Sequence, residues 1–259
     1  MSVLTMCRSV RGLAAIAVIA APVAFTAPAY AVPVGLELSL LIDVSGSIDT
    51  SEYNLQKQGY VQAFQSAAVQ AAILDSVGGA IAVNFIQWSG AGQATQSVGW
   101  TLINSATTAN SFAAAINSIA RAYSGQTAPG NALNFAAPLF NNNGYESARQ
   151  VIDVSGDGVQ NDGVNTATAR NNALAGGVDT INGLAILGEA GVAAFYQNSI
   201  VGGANGFLEI ANDFGDFAQA IERKLVREIR VPEPASLALF GFGLAALGVA
   251  RRRRAARAA

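Results

Sequence analysis

Between residues 32 and 230, apolar runs of strand length alternate with longer segments whose apolar residues recur at helical spacing. This alternation restricts the fold more than any other feature. Strands separated by helical crossovers form a mostly parallel sheet with helices on both faces. The strand-like runs are Leu36–Ile42, Ala80–Trp88, Gln150–Ser155 and Thr180–Leu187, with a short one at Gly206–Ala211. Ala94–Trp100 is weaker, carries polar residues at alternate positions and reads as an edge strand. Helices are predicted over Glu52–Leu74 (with Ser51 as N-cap), Asn110–Ile119, Pro129–Phe140, Thr166–Ala175, Ala190–Gln197 and Phe214–Ile229. In the last of these, Phe214, Phe217, Ile221, Leu225 and Ile229 share one face. No Pro-rich or Ser-rich linker divides the region and no long repeat is visible. The prediction is one doubly wound α/β domain, residues 32–230, with right-handed crossovers. Ligands of such folds bind beyond the carboxyl ends of the strands, at the switch point. The places to look are therefore just after Ile42, Ser155 and Leu187.

Two counts remove whole chemistries. The chain has no histidine, which excludes Ser-His-Asp triads, Cys-His dyads and His-ligated zinc. It has one cysteine, Cys7, so no intrachain disulfide and no Cys-rich metal site can form. Oxygen donors remain, and these suit hard cations such as Mg²⁺, Mn²⁺ or Ca²⁺. Residues 32–230 hold eight basic and sixteen acidic side chains, an unfavourable balance for a nucleic-acid partner. No P-loop, GxSxG elbow or strand-linked GxGxxG is present. Trp88 and Trp100 read as core or edge-covering residues, with surface anchoring of a sugar or protein as the other reading.

Both ends of the chain read as addresses. Arg8 and Arg11 precede the apolar run Leu13–Phe25 and then Ala29-Tyr30-Ala31, the pattern of a secretory signal peptide cut after Ala31. The other reading of the run is an N-terminal anchor helix. Removal of residues 1–31 takes Cys7 with it. At the other end, Val231-Pro232-Glu233-Pro234 precedes the apolar stretch Ala235–Ala250 and the cluster Arg251–Arg254. Sixteen helical residues span roughly 24 Å, short against a hydrocarbon core of about 30 Å. The arginines favour the cytoplasmic side, which leaves the domain outside the inner membrane. This order of Pro-Glu-Pro, short helix and Arg cluster in residues 231–259 resembles the PEP C-terminal sorting signal of Gram-negative bacteria. The resemblance implies recognition by an exosortase, transient membrane anchoring through residues 235–250, and delivery to the cell surface or extracellular matrix.

The first candidate site reads Asp43-Val44-Ser45-Gly46-Ser47, directly after a strand-like run. Three oxygen side chains at spacing two can turn toward one point, and Gly46 eases the turn. One carboxylate and two hydroxyls form a hard-cation site of low charge. Asp and Ser are also ordinary cap and turn residues. Two further pieces stand at comparable places. Asp157-Gly158 follows the run Gln150–Ser155, and Thr127 precedes a helix that Pro129 opens. Together these resemble the von Willebrand factor type A domain, over about residues 34–229. The phrases LLIDVSGSID and QVIDVSGDG further resemble a family of exported, von Willebrand-like bacterial domains of unknown function. The resemblance implies a metal-ion-dependent adhesion site made of Asp43, Ser45, Ser47, Thr127 and Asp157. It implies that the serines, and often the threonine, touch the metal directly while the aspartates act through water. A ligand carboxylate then completes the shell.

Asp153-Val154-Ser155-Gly156-Asp157 imitates the first loop, so Asp153 competes with Asp157 as a donor. Asp153 lies inside the predicted strand, which favours Asp157 for the site and a buried, hydrogen-bonded role for Asp153. Asn161 and Asp162 read either as a second Ca²⁺ site or as a polar turn, and their spacing misses the EF-hand pattern. The functional expectation is an exported, metal-dependent adhesion module that holds an acidic group of a protein or polysaccharide. The rival expectations are a structural matrix protein that uses the metal for stability, and a metal-assisted hydrolase. No histidine or nearby lysine stands ready to activate Ser45 or Ser47, so a non-enzymatic role is expected.

Overall fold

A computed structural model describes residues 31–230. The signal-peptide and tail-helix expectations fall on residues 1–30 and 231–259, outside the described residues. In chain order the strands are β1 (Val32–Pro33), β2 (Glu37–Asp43), β3 (Ile81–Trp88), β4 (Ala94–Ile103), β5 (Tyr145–Glu146), β6 (Gln150–Gly156), β7 (Thr180–Ile186), β8 (Gly202–Gly203) and β9 (Leu208–Ala211). The helices are α1 (Thr50–Gln65), α2 (Ala67–Leu74), α3 (Ala106–Ser118), α4 (Pro129–Ala136), α5 (Thr166–Ala175), α6 (Val192–Phe195) and α7 (Phe217–Arg230).

Seven strands form the main sheet in the order β4-β3-β2-β6-β7-β8, with β9 also paired to β7. The pairings β2–β3, β2–β6, β6–β7 and β7–β9 are parallel. β4 runs antiparallel at one edge, as its alternating polar residues suggest, and it extends to Ile103. The mostly parallel doubly wound sheet is the predicted architecture. β1 and β5 form a separate two-stranded parallel pair.

Strand pleating divides the interior into two cores. Leu38, Leu40 and Ile42 join Tyr60, Phe64, Phe112, Phe217 and Leu225 on the face covered by α1, α2, α3 and α7. Leu41, Ile152 and Val154 join Leu133, Ala169 and Tyr196 on the face covered by α4 and α5. Because both faces are covered, β2 and β3 are buried along their whole length and carry apolar residues on both faces, with buried polar residues at Glu37, Ser39, Asp43, Asn84 and Gln87.

The predicted helix Glu52–Leu74 is in fact two. Ser66 has ψ 143°, and its hydroxyl accepts from Val69 N at 3.2 Å, so it caps α2 and breaks the run. The N-cap of α1 is Asp49 rather than Ser51. Its carboxylate accepts from Glu52 N, while the Glu52 carboxylate accepts from Asp49 N, a capping box. Helix α3 begins four residues before the predicted Asn110, where Ser105 and Thr108 form a second capping box. The segment predicted as one helix, Ala190–Gln197, is α6 followed by a π-helical turn over Tyr196–Ile200. Trp88 is buried in the core, and Trp100 donates its indole N–H to Leu139 O at 2.9 Å.

A charge cluster ties α7 to the sheet. Lys224 Nζ lies 2.5 Å from both Asp153 Oδ1 and Glu228 Oε1, and all three side chains are buried. Asn182 Nδ2 donates to the same Glu228 oxygen at 2.8 Å. Asp153 is thus an ion-paired core residue, and the metal role weighed for it does not arise. Burial, and next the Asp153 carboxylate, push Glu228 up to about 7 against the pull of Lys224 and Asn182. Burial likewise raises Asp153, opposed first by Lys224. From pH 4.5, the ordinary value for Glu228, to about 7 the folded state keeps a proton that the unfolded chain has released. Stability from this group therefore falls as pH rises through that window and levels off above it. Glu228→Gln is expected to flatten this part of the slope in denaturant unfolding followed from pH 4.5 to 8. Lys224→Met should cost about 3–5 kcal/mol, since it leaves two buried carboxylates without their cation.

Candidate metal centre

β2 is flanked by β3 on one side and β6 on the other, so the chain changes direction across the sheet at its carboxyl end. The loop Val44–Asp49 leaves β2 there, and Asp157 leaves β6 beside it. Parallel register sets the level. Ile42 pairs with Ser155, which places Gly156 and Asp157 abreast of Asp43 and leaves Asp153 opposite Leu40, deeper in the sheet.

All five predicted donors meet at this point. Asp43 is fully buried, and its Oδ1 accepts from Ser45 N at 2.7 Å. Ser45 Oγ lies 3.2 Å from Ser47 Oγ, and Thr127 Oγ1 donates to Ser45 Oγ at 3.3 Å. Ser47 Oγ donates to Asp157 Oδ1 at 2.8 Å. Ser45 and Thr127 are buried while Gly46 and Ser47 are exposed, so the cluster is reachable from solvent on one side.

The second oxygen of Asp43, Oδ2, is buried without a hydrogen-bond partner. Burial pushes the Asp43 carboxyl up to about 7, and the Ser45 hydrogen bonds only partly oppose it. Burial also raises Asp157, with its Ser47 hydrogen bond opposing and the Glu52 and Glu189 carboxylates adding to the rise. Three hydroxyls and two carboxylates, one with a buried orphan oxygen, fit a hard divalent cation. The donor set is hydroxyl-rich. Among the described residues no group of three or more acidic or thiol side chains is placed to hold a metal.

Residues far from the motifs brace the loops. Arg121 Nη2 donates to Val44 O at 3.0 Å and Ser45 O at 2.7 Å, and its Nε donates to Tyr123 O at 2.9 Å. It thereby clamps the first loop from below. Gly46 N donates to Gly125 O at 2.7 Å, which ties that loop to the Thr127 segment. Asn161 Oδ1 accepts from Thr127 N at 2.8 Å, and the Asn161 and Asp162 amides donate back to Thr127 O. The Asp162 carboxylate accepts from Ala91 N at 2.7 Å and Gly163 N at 2.8 Å. Of the two readings of Asn161-Asp162, this geometry is the polar turn, and its work is to hold Thr127. No local pattern marks Arg121 as a brace of the first loop, since Val44 and Ser45 stand more than seventy positions earlier.

Sheet order, helix placement and the loop cluster at the carboxyl edge define a von Willebrand factor type A-like α/β domain. The chain belongs to the family described as protein of unknown function DUF1194, whose model matches residues 33–233. Residues 230–254 match the PEP-CTERM protein-sorting motif. Among solved structures, the chain is similar to proximal thread matrix protein 1 from the mussel byssus with a zinc-occupied MIDAS motif. That match has 16% identity and a TM-score of 0.52, over 74% of this chain and 45% of the other. It is also similar to a von Willebrand factor type A protein from Catenulispora acidiphila, at 14% identity and TM-score 0.53, covering 75% and 42%. A third is the pilus adhesin SpaC from Lactobacillus rhamnosus GG, at 17% identity and TM-score 0.55, covering 76% and 30%. The chain thus spans less than half the length of each of these proteins. A search of the curated proteins found no match.

Arg121→Met is expected to lower unfolding free energy by about 2 kcal/mol, the scale for charge-assisted hydrogen bonds to carbonyls left unserved. Denaturant unfolding in EDTA checks this, with no dependence on any bound metal.

Proposed function

We propose that this domain is an exported binding module of the cell surface or extracellular matrix that uses a divalent cation to hold an acidic group of a partner. The observation that carries the reading is the convergence of Asp43, Ser45, Ser47, Thr127 and Asp157 at the switch point of the sheet. A bound Mg²⁺, Mn²⁺ or Ca²⁺ supplies a Lewis-acid position for a partner's carboxylate. Ser45, Ser47 and Thr127 would hold it, and Asp43 and Asp157 would contribute charge through water. Exposed Ser47 marks the side open to a ligand. The partner on this reading is a protein or polysaccharide bearing a carboxylate. The strongly acidic domain repels such groups elsewhere, which confines recognition to the metal.

The matched sorting motif supports export with processing by an exosortase and transient anchoring in the membrane through residues 235–250. An adhesin and a matrix protein among the similar structures agree with a binding role. We read the protein as a non-enzyme. The chain offers no histidine to the hydroxyls, and a single low-charge cation site lacks the second metal or base that hydrolysis needs. The likeness to a byssal matrix protein favours a second reading, in which metal serves stability alone.

Calorimetric titration of Mg²⁺, Mn²⁺ and Ca²⁺ into EDTA-stripped protein tests the proposal. One-site binding that is lost in Asp43→Ala is the expected result. Absence of binding in the wild type, or binding unchanged by Asp43→Ala, overturns it. A melting point raised by metal while capture of carboxylate-bearing partners ignores EDTA selects the stability reading.

A further inference from the structure

Tyr196 stands directly beneath the candidate metal centre, and no motif marks it. It opens the π-helical turn after α6, closed by Val201 N donating to Tyr196 O at 2.9 Å. Such turns are rare and concentrate at functional sites. The ring is fully buried on the α4/α5 face of the sheet.

Two glycines make room for it. A Cβ on Gly183 of β7 would stand 3.0 Å from the ring carbon Cδ1, and a Cβ on Gly156 of β6 would stand 2.5 Å from Tyr196 Oη. That same point over Gly156 is 2.6 Å from Asp43 Oδ2. The phenol oxygen and the carboxylate oxygen therefore flank one gap that exists because β6 carries no side chain there. Both atoms are buried, and neither has a hydrogen-bond partner. Their needs are complementary: a phenol has a proton to donate, and a carboxylate oxygen only accepts.

We propose that Tyr196 is a positioning residue of the metal centre, its hydroxyl donating toward Asp43 Oδ2 across the gap over Gly156 and fixing the orientation of that carboxylate. The inference rests on the metal-binding reading. Groups that orient a ligating carboxylate commonly set metal affinity by about 10- to 100-fold. Three observations agree: the π-helical turn that presents the ring, the paired glycines that admit it, and the two oxygens that lack partners.

The test uses the full chain in detergent, stripped with EDTA and titrated with Mg²⁺ and Mn²⁺. Tyr196→Phe is expected to weaken binding by about tenfold or more. A purely structural tyrosine predicts a lowered metal-free midpoint with unchanged affinity, and that result overturns the proposal. A second readout does not depend on the variant folding. Mg²⁺ should perturb the near-ultraviolet absorption of a buried tyrosine in the wild type, and Asp43→Asn should abolish the signal. Mg²⁺ binding without any tyrosine perturbation overturns the proposal. Binding that is lost in Asp43→Ala yet equal in Tyr196→Phe defeats this inference alone, whereas no binding by the wild type defeats the metal reading with it.

Discussion

Strand β2 is hydrogen-bonded along both edges, to β3 and β6, and covered by helices on both faces. Its side chains from Leu38 to Ile42 lie wholly inside the two cores. A strand held this way delivers the residue at its carboxyl end to a nearly invariant point. Asp43 is that residue, and its fully buried carboxyl is unfavourable unless hydrogen bonds or a cation compensate it. Ser45 N serves one oxygen, and the other is buried without a hydrogen-bond partner. The loop braces, the Thr127 segment and the Tyr196 pocket are all arranged about this one buried group.

The chain contains two nearly identical phrases with different fates. Asp43-Val44-Ser45-Gly46-Ser47 and Asp153-Val154-Ser155-Gly156-Asp157 differ only in the last residue. Pairing of Leu40 with Asp153 and of Ile42 with Ser155 offsets the second phrase by three residues. Asp153 therefore sits in mid-strand, on the face toward α7, and meets Lys224. Asp157 falls past the strand end and meets Ser47. Odd offsets exchange faces in a pleated strand, so the same four residues anchor a helix in one phrase and join a hydroxyl and carboxylate cluster in the other. Ser155 likewise faces inward, 3.1 Å from Tyr60 Oη.

Much of this was legible beforehand where a pattern has a local cause. Long apolar runs bounded by turn residues gave the buried strands, and the polar alternation of residues 94–100 marked the edge. The grouping of the five candidate donors was legible from the family resemblance, together with the rule that ligand loops gather at strand ends in parallel sheets. Element boundaries were less so. The break at Ser66 was hidden in a continuous helical pattern, since a serine that caps and a serine inside a helix look alike until its hydroxyl finds Val69 N. Lys224 presented the opposite difficulty. A lysine on an amphipathic helix reads as solvent-facing, and only the carboxylates of Asp153 and Glu228 make its burial tolerable.

Local sequence carries the class of fold, the oxygen-only chemistry, the five candidate donors and the C-terminal sorting motif. These follow from composition, periodicity and short motifs, each of which acts over a few neighbouring residues. Tertiary structure alone decided which aspartate of the second phrase joins the centre and which pairs with Lys224. It also brought Arg121 under the first loop, set Asn161 on Thr127, and left Asp43 and Tyr196 facing one gap over Gly156. Those relations depend on strand register and on contacts between residues tens of positions apart. No local propensity encodes them, because they exist only once the strands have paired and both cores have closed.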